Sequence, residues 1–334
     1  MNKGGVIILI FALLLALVFQ VHYYFQPVDP ESREGVVVKI EPGFSTDEIA
    51  THLYENKIIH SPLFFKLITS ISGVEQKLQA GYYLFSPADS LKEVISDLES
   101  GRVDNFKLTL PEGFTIQETI DRLVELTDYE EEDFLELVHN RELIEDYMTV
   151  PDQEFIYPLE GFLYPSTYSI PRNFGPEAIL RIMLREFVNR WGERLDEESG
   201  TYTPFEIVVI ASMVEKEARL SEEKEIIAGV IYNRLEEEML LQIDATVQYS
   251  LEQRQQILLF SDLRRDSLYN TYLYQGLPPG PIASPGDESL KAALDPADTD
   301  YMFYFAREDG SHIFSETYQE HKDKLEDYRD QTRD

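Results

Sequence analysis

The chain of 334 residues has no cysteine and few basic residues. Without cysteine it can form neither disulfides nor thiolate metal sites, and it has no cysteine nucleophile. Its 29 lysines and arginines face 62 aspartates and glutamates, which gives a formal net charge of −33. Because nucleic-acid binding rests on basic side chains that displace counterions, we expect no nucleic-acid partner. Such an acidic excess is typical of highly soluble proteins or of proteins adapted to high salt.

The chain has enough apolar residues to form packed cores, since hydrophobic residues make up 43% of it and aromatic residues 12%. The chain is therefore predicted to be folded, and its length fits roughly two domains. Strand-like and helix-like segments alternate in small modules. This pattern predicts an α+β protein, with an α+β subdomain followed by a second, mixed α+β domain. Helices are predicted after Ser61 and over residues 221–241, and strands over residues 36–40, 81–85 and 301–305. Asp309 and Gly310 predict a hairpin turn.

The N-terminus carries the one long apolar run, over residues 6–25. About 20 such residues suffice to cross a bilayer as a helix. Lys3 precedes the run and acidic residues follow it, including Glu34, so we expect residues 1–5 in the cytoplasm and the bulk of the chain outside. A cleaved signal peptide is the alternative, but no small-x-small cleavage site follows the run. We therefore predict an uncleaved single-pass anchor.

A short internal repeat follows the predicted anchor. Residues 40–53 align with residues 110–123, which lie 70 positions further on. Each copy has an alternating strand, a turn with proline and glycine, and a capping box that begins an amphipathic helix. The capping boxes are Ser45 with Glu48, and Thr115 with Glu118.

The two copies divide the first half of the chain into two predicted modules. Residues 35–104 resemble the LysM-like modules that bind N-acetylated glycans, although two short strand–turn–helix segments also arise by chance. We expect residues 105–150 to hold the second strand and helix, with an acidic connecting helix. The aromatic segment that follows, residues 157–168, fits either a sugar-binding surface or a domain core.

The strongest sign of chemistry is a carboxylate at the end of an apolar helix. Thr203 and the proline after it predict the start of this helix, and residues 207–214 are apolar all round. Glu215 follows directly. Desolvation at the end of a buried helix favours the protonated form of a carboxylate, which suits proton donation. Glu217 lies about 200° further around the helix, so the two carboxylates are not expected to share a site, and we favour Glu215 as the catalytic residue.

Several ordered motifs support a family assignment. They include L-E-G-F-L-Y-P-S-T-Y at 159–168, A-S-M-V-E-K-E-A at 211–218, V-I-Y-N-R-L at 230–235, L-Q-I-D-A-T-V-Q-Y at 241–249, and Y-N-T-Y with a Gly/Pro-rich loop at 269–286. The set resembles the YceG-like endolytic murein transglycosylases (MltG). Ala245 stands where the family motif has proline, which puts the rigidity of that loop in doubt but removes no polar group.

The resemblance implies a non-hydrolytic cleavage of peptidoglycan within the glycan strand, with Glu215 as its catalytic residue. In such a reaction the C6 hydroxyl of the muramyl sugar attacks its own anomeric carbon, so one carboxylate suffices where hydrolysis normally needs two. The resemblance also implies a bacterial inner-membrane protein that works beside peptidoglycan synthases. Its catalytic domain is expected over residues 151–325, outside the cytoplasm, and an acidic tail over residues 326–334.

The expected site contains Glu215 and a set of polar and aromatic side chains that contact the substrate. The substrate-binding residues are predicted to be Gln242, Asp244, Thr246, Tyr249, Asn270, Tyr272, Glu160 and Tyr168. Stabilisation of loops is the alternative role for these side chains. No cofactor or metal is expected, since His312 and His321 lack the spacing and partners of a ligand set. The alternative function is a catalytically silent, membrane-anchored scaffold that binds glycan during cell-wall synthesis.

Overall fold

A computed structural model describes residues 3–32, 35–101, 105–172, 174–251, 255 and 258–332; of residues 3–10 and 17 it describes the backbone alone. Helices and three two-stranded sheets make up these described ranges, which confirms the mixed α+β class. Residues 1–2 of the predicted cytoplasmic tail, Glu34 of the acidic flank and residues 333–334 of the predicted acidic tail lie outside them.

The chain divides into two compact units. The first comprises Met1–Lys107 with Ser169–Ile179, and the second comprises Leu108–Tyr168 with Leu180–Asp334. Each unit therefore contains two separate stretches of chain. The domain boundaries expected from the sequence stay predictions.

The first unit contains one antiparallel strand pair packed against short helices. Its elements are α1 (Lys3–Phe25), β1 (Val36–Ile40), α2 (Thr46–Glu55), α3 (Pro62–Ser72), β2 (Gly81–Phe85) and α4 (Leu91–Ser100). Val36 pairs with Phe85, and Ile40 pairs with Gly81. Leu53 of α2, Phe65 of α3 and Leu98 of α4 are fully buried in the core beside this pair. The predicted strands, the capping box of Ser45 and the helix after Ser61 are confirmed.

The first helix, α1, ends in aromatic residues that contact the rest of the first unit. The rings of Tyr23 and His60 stack with centroids 4.4 Å apart, and the rings of Tyr24 and Phe64 stack at 4.9 Å. His60 lies just before α3. On the outer face of α3, Leu63 is exposed. In the part of the chain that the structure describes, no helix has the length and apolar character that crossing a membrane requires.

The second unit is mainly helical. The remaining elements of the chain are β3 (Asn105–Thr109), α5 (Ile116–Leu126), α6 (Glu131–Val138), α7 (Glu142–Glu145), β4 (Thr167–Pro171), α8 (Pro176–Phe187), α9 (Glu193–Glu198), α10 (Pro204–Glu217), α11 (Lys224–Glu236), α12 (Asp244–Tyr249), α13 (Asp287–Leu294), β5 (Phe303–Ala306), β6 (His312–Ser315) and α14 (Tyr318–Gln331). The boundary between the units falls within β3, β4 and α8. The centre of the second unit is α10, which packs against both α11 and α13.

Two sequence predictions in the second unit are wrong in detail. A helix was expected over residues 221–241, but α11 ends at Glu236 because Glu238 takes a left-handed conformation with φ of 52°. A buried strand was expected from Tyr301, but β5 begins at Phe303 and its side chains are only half-buried. The predicted hairpin through Asp309 and Gly310 is confirmed, since β5 and β6 pair antiparallel.

Candidate active site

Glu215 lies in the last turn of α10, and the start of this helix is fixed by a capping box. The Thr203 hydroxyl accepts a hydrogen bond from the Glu206 amide at 3.2 Å, while the Glu206 carboxylate accepts one from the Thr203 amide at 2.8 Å. Residues 207–214 are all buried, so the helix is packed on every side. Because the helix is buried and its start is fixed, the carboxylate at its end has little freedom to move.

Within the described part of the chain, one carboxylate oxygen of Glu215 accepts every hydrogen bond that this side chain receives. Its Oε2 accepts from Ser289 Oγ at 2.6 Å, from the Gly286 amide at 3.1 Å and from Lys224 Nζ at 3.2 Å. Oε1 has no partner among the described residues, and it is not a buried atom. The side chain as a whole is 10% exposed. Oε2 therefore holds the carboxylate in place, and Oε1 is left to face solvent or a ligand.

Lys224 is the cation of this site. It begins α11, its side chain is only 7% exposed, and its ammonium forms an ion pair with Glu215. A buried ammonium is costly unless it is paired, so this contact ties α11 to the end of α10. Lys224 and Ser289 are not among the residues predicted from the sequence, because nothing in their spacing relates them to Glu215.

The Gly/Pro-rich loop of residues 276–286 is attached firmly to α10. The Ser212 hydroxyl accepts a hydrogen bond from the Ile282 amide at 3.0 Å. The loop also exchanges two backbone hydrogen bonds with residues 113 and 114: Gly113 N donates to Ser284 O, and Ser284 N donates to Phe114 O, both at 2.8 Å. This attachment fixes the Gly286 amide that contacts Glu215.

A second carboxylate, that of Glu112, lies beside Gly286, although the residue as a whole is exposed. A methyl group on the Cα of Gly286 would overlap with the Glu112 carboxyl. Partial burial raises the pKa of Glu112, and the charge of Glu215 raises it further, while Lys224 acts in the opposite direction. The sequence held a signal that could have found this residue, because the first copy of the internal repeat has Pro42 where the second has Glu112.

Glu217 faces a different set of side chains. It accepts a hydrogen bond from the Tyr304 hydroxyl at 2.9 Å. Burial raises the pKa of Glu217; the bond from Tyr304 opposes this effect, and the charge of Asp244 adds to it. Glu215 and Glu217 therefore have separate partners, in agreement with the angle between them on the helix.

Three of the predicted substrate-binding residues reach solvent. Gln242 and Asp244 are exposed, and Tyr272 is half-buried. Tyr272 donates to Asp244 Oδ1 at 2.6 Å, and the charge of Asp244 acts on Glu217. Among the contacts that the described residues make, none joins these three side chains directly to Glu215.

The other predicted substrate-binding residues have protein partners. Thr246 is fully buried and its hydroxyl hydrogen-bonds with that of Thr271 at 2.9 Å. The Asn270 amide donates to two backbone carbonyls, and the Tyr168 hydroxyl donates to the Tyr164 carbonyl at 2.5 Å. These hydrogen bonds stabilise loops.

Glu160, which is fully buried, pairs with Tyr249, which is half-buried. The Tyr249 hydroxyl donates to Glu160 Oε2 at 3.0 Å, and both Glu160 oxygens accept from the amide of Ile116, the first residue of α5. Burial raises the pKa of Glu160 to about 7. The carboxyl is fully buried, so it caps α5 rather than facing solvent. The substrate contacts of all eight residues stay predictions.

The described residues contain no group of three or more His, Asp or Glu side chains that could hold a metal ion. His312 instead pairs with Glu223, with Nδ1 at 2.7 Å from Oε2. His321 packs among aromatic rings, including Phe303 and Phe305.

The geometry defines a class of site: a carboxylate with one oxygen fixed by an ammonium, a hydroxyl and an amide, and the other oxygen open. Such a group suits transfer of a proton to and from a bound molecule. The YceG-like family model matches residues 38–327, and the chain belongs to this family.

Named relatives support the same family. The chain is 32% identical to an endolytic murein transglycosylase of Bacillus subtilis, over 91% of this chain and 87% of that protein. It is 29% identical to an endolytic murein transglycosylase of Streptococcus pneumoniae, over 89% of this chain but 59% of that longer protein. A crystal structure of a yceG-like protein from Listeria monocytogenes matches with a TM-score of 0.61 at 33% identity, over 87% of this chain and 99% of the other.

Proposed function

We propose that this protein is an endolytic murein transglycosylase. It cleaves the β-1,4 bond between N-acetylmuramic acid and N-acetylglucosamine within nascent strands and leaves 1,6-anhydro ends, which terminates strand elongation. The observation that carries the proposal is Glu215, with Oε2 fixed by three donors and Oε1 open. The names of the relatives support the same reaction.

The chemistry needs one carboxyl group. Protonated Glu215 gives its proton to the glycosidic oxygen as the bond from that oxygen to the anomeric carbon breaks. The C6 hydroxyl of the same muramyl residue then bonds to the anomeric carbon, and its proton passes to the Glu215 carboxylate. No water is consumed, and the carboxyl group ends in its starting state. One group acting as acid and then as base is the general pattern of such catalysis.

Of the eight predicted substrate-binding residues, we retain Gln242, Asp244 and Tyr272 as direct contacts. Their side chains reach solvent and carry donors and acceptors that suit sugar hydroxyls and acetamido groups. We assign the other five a supporting role, because their polar groups are already hydrogen-bonded within the protein: Glu160, Thr246, Tyr249, Asn270 and Tyr168.

We also propose that the module over residues 35–104 is LysM-like and binds the glycan chain. The order β1, α2, α3, β2 supports this proposal, since the two strands pair and two helices lie between them in sequence. A glycan-binding module would hold a long strand near the enzyme and raise its local concentration.

For residues 6–25 we propose a membrane anchor, with the N-terminus in the cytoplasm and the catalytic unit outside the inner membrane. The helix α1 has 23 residues, a length of about 34 Å at 1.5 Å per residue. The exposed Leu63, Leu67 and Ile71 on α3 recur every four residues, and α3 begins beside the end of α1. No acidic residue occurs from Asn56 to Val74. An apolar, acid-free face suits contact with a membrane surface and with membrane-bound peptidoglycan synthases.

Digestion of uncrosslinked glycan strands with mass spectrometry of the products tests the proposed reaction. Lytic cleavage gives products one water lighter than hydrolysis does. We expect Glu215→Gln to abolish them, while Glu217→Gln and the exposed Glu225→Gln retain most activity. Loss of glycan cleavage by Glu217→Gln alone would move the acid to the other side of α10. An inactive wild-type protein that still binds glycan would favour the scaffold alternative.

A further inference from the structure

We infer that Glu112 is a positioning residue of the active site, which acts with Glu215 as a pair of carboxylates that hold one proton. This inference rests on the proposed function. It gives a role to the loop between β3 and α5, which the sequence analysis had treated only as part of a repeat.

The loop that carries Glu112 is fixed on both sides. Gly113 and Phe114 are bonded through their backbones to Ser284 at 2.8 Å. Lys216, which follows Glu215 on α10, donates from Nζ to the Gly113 carbonyl at 3.0 Å. A Cβ on Gly113 would lie 3.7 Å from Cγ of Glu215. The backbone beside Glu112 is therefore in place against the catalytic side chain.

One residue, Gly286, contacts both carboxyl groups. Its amide donates to Glu215 at 3.1 Å, while the space where a side chain would begin is filled by the Glu112 carboxyl. Ordinary bond lengths through this residue place the two carboxyl groups within about 8 Å of each other. A side chain at position 286 would displace the Glu112 carboxyl from this place.

The charges around the pair come from three helices. Lys224 on α11 is the buried cation, Asp287 and Glu288 on α13 are negative, and Lys216 lies on α10 beside the loop. The carboxylates outnumber the ammonium groups, so uptake of one proton by the pair reduces an excess of negative charge. Like charges at this separation favour uptake of that proton, which is the behaviour of coupled carboxylate pairs. Partial burial and Glu215 raise the pKa of Glu112, in agreement with such coupling.

An ammonium, a hydroxyl and an amide hold Glu215 in place, and the charge of Glu112 nearby favours retention of one proton by the pair. After Glu215 has given its proton to the glycosidic oxygen, the negative charge of the pair faces the cationic anomeric centre. The proton from the C6 hydroxyl then returns to Glu215, so Glu112 exchanges no atom with the substrate.

The test is the pH profile of kcat/KM for release of anhydro products, measured at low ionic strength. Glu112→Gln removes the charge and keeps the shape. We expect the alkaline limb of this profile to move to lower pH by about one unit, because the Coulomb repulsion between two charges within about 8 Å of each other is lost. At a pH above the alkaline limbs of both proteins, kcat/KM of the variant should be about tenfold below that of the wild type. Glu112→Asp keeps the charge and should restore most of the wild-type profile.

Several comparisons separate the possible outcomes. Glu288→Gln removes a neighbouring charge that is also exposed, and it should shift the limb less than Glu112→Gln does. An unshifted limb in Glu112→Gln, or equal losses in the Gln and Asp variants without a shift, would overturn the inference and leave the proposed function standing. A wild-type protein that releases no anhydro products would instead refute the proposed function. If Glu112→Gln failed to fold, Gly286→Ala would test the inference instead, because its added methyl displaces the Glu112 carboxyl. This variant should also move the alkaline limb to lower pH.

Discussion

Removal of the buried ammonium by Lys224→Met tests the architecture of the site most directly. Both partners of the ion pair are nearly inaccessible, with 7% of the Lys224 side chain and 10% of the Glu215 side chain exposed. Breaking such a pair leaves an unpaired buried charge and costs about 3–5 kcal/mol. Glu215 keeps its bonds from Ser289 and the Gly286 amide, so we expect the lower end, about 3 kcal/mol of unfolding free energy at pH 7.5.

The loss should depend on the partner. The double variant Lys224→Met/Glu215→Gln has no unpaired carboxylate, so it should regain most of the lost stability. The chain has one tryptophan, Trp191, which is buried in the second unit and donates to Asp287 at 2.9 Å. Its fluorescence during urea unfolding reports on the unit that contains the pair.

Two results would refute this reasoning. If Lys224→Met unfolds at the wild-type urea concentration at pH 7.5, the ion pair does not stabilise the second unit. If the double variant is no more stable than Lys224→Met, the deficit comes from lost packing of the lysine stem rather than from an unpaired carboxylate.

Three further predictions concern the stability of the second unit, measured by the same fluorescence. Because burial raises the pKa of Glu160 from 4.5 to about 7, the folded state holds a proton that the unfolded state has lost between these values. The wild type should lose about 3 kcal/mol as the pH rises through this window, and Glu160→Gln should lack this loss. Gly161→Ala should cost about 2–3 kcal/mol, since φ is 85° and the methyl would overlap with Pro281; little change would contradict this. Thr203→Ala removes the cap of α10 and should cost about 1 kcal/mol, against no cost for Thr201→Ala outside the helix.

Local features of the fold could be predicted from the sequence, because their causes lie within a few residues. The capping boxes at Ser45 and Thr115 join side chains three positions apart, and both are present. The strand over Val36–Ile40 follows from its alternating pattern. The end of α11 was missed because a left-handed Glu238 is unusual for a residue other than glycine.

The catalytic candidate could be identified from sequence, but its surroundings could not. The apolar helix and the motif around Glu215 indicate the carboxylate. Its three donors stand 9, 71 and 74 positions away on other elements, and no local pattern connects them to it. The polar motif residue Thr246 was expected to face substrate, yet it bonds to Thr271, because a short polar side chain near a turn often bonds locally.

The division of the chain between the two units has a consequence for synthesis on the ribosome. The first unit includes Ser169–Ile179, so it is incomplete until the chain has grown past Ile179, long after β1 and β2 have been made. The second unit needs the chain beyond Ser289 before Glu215 meets all its donors. Because domains fold largely in the order of synthesis, Glu215 is made after the first unit is complete but before the Gly286 and Ser289 donors that hold it. A nascent chain stalled between these two points would hold a folded first unit and an enzyme that is not yet assembled.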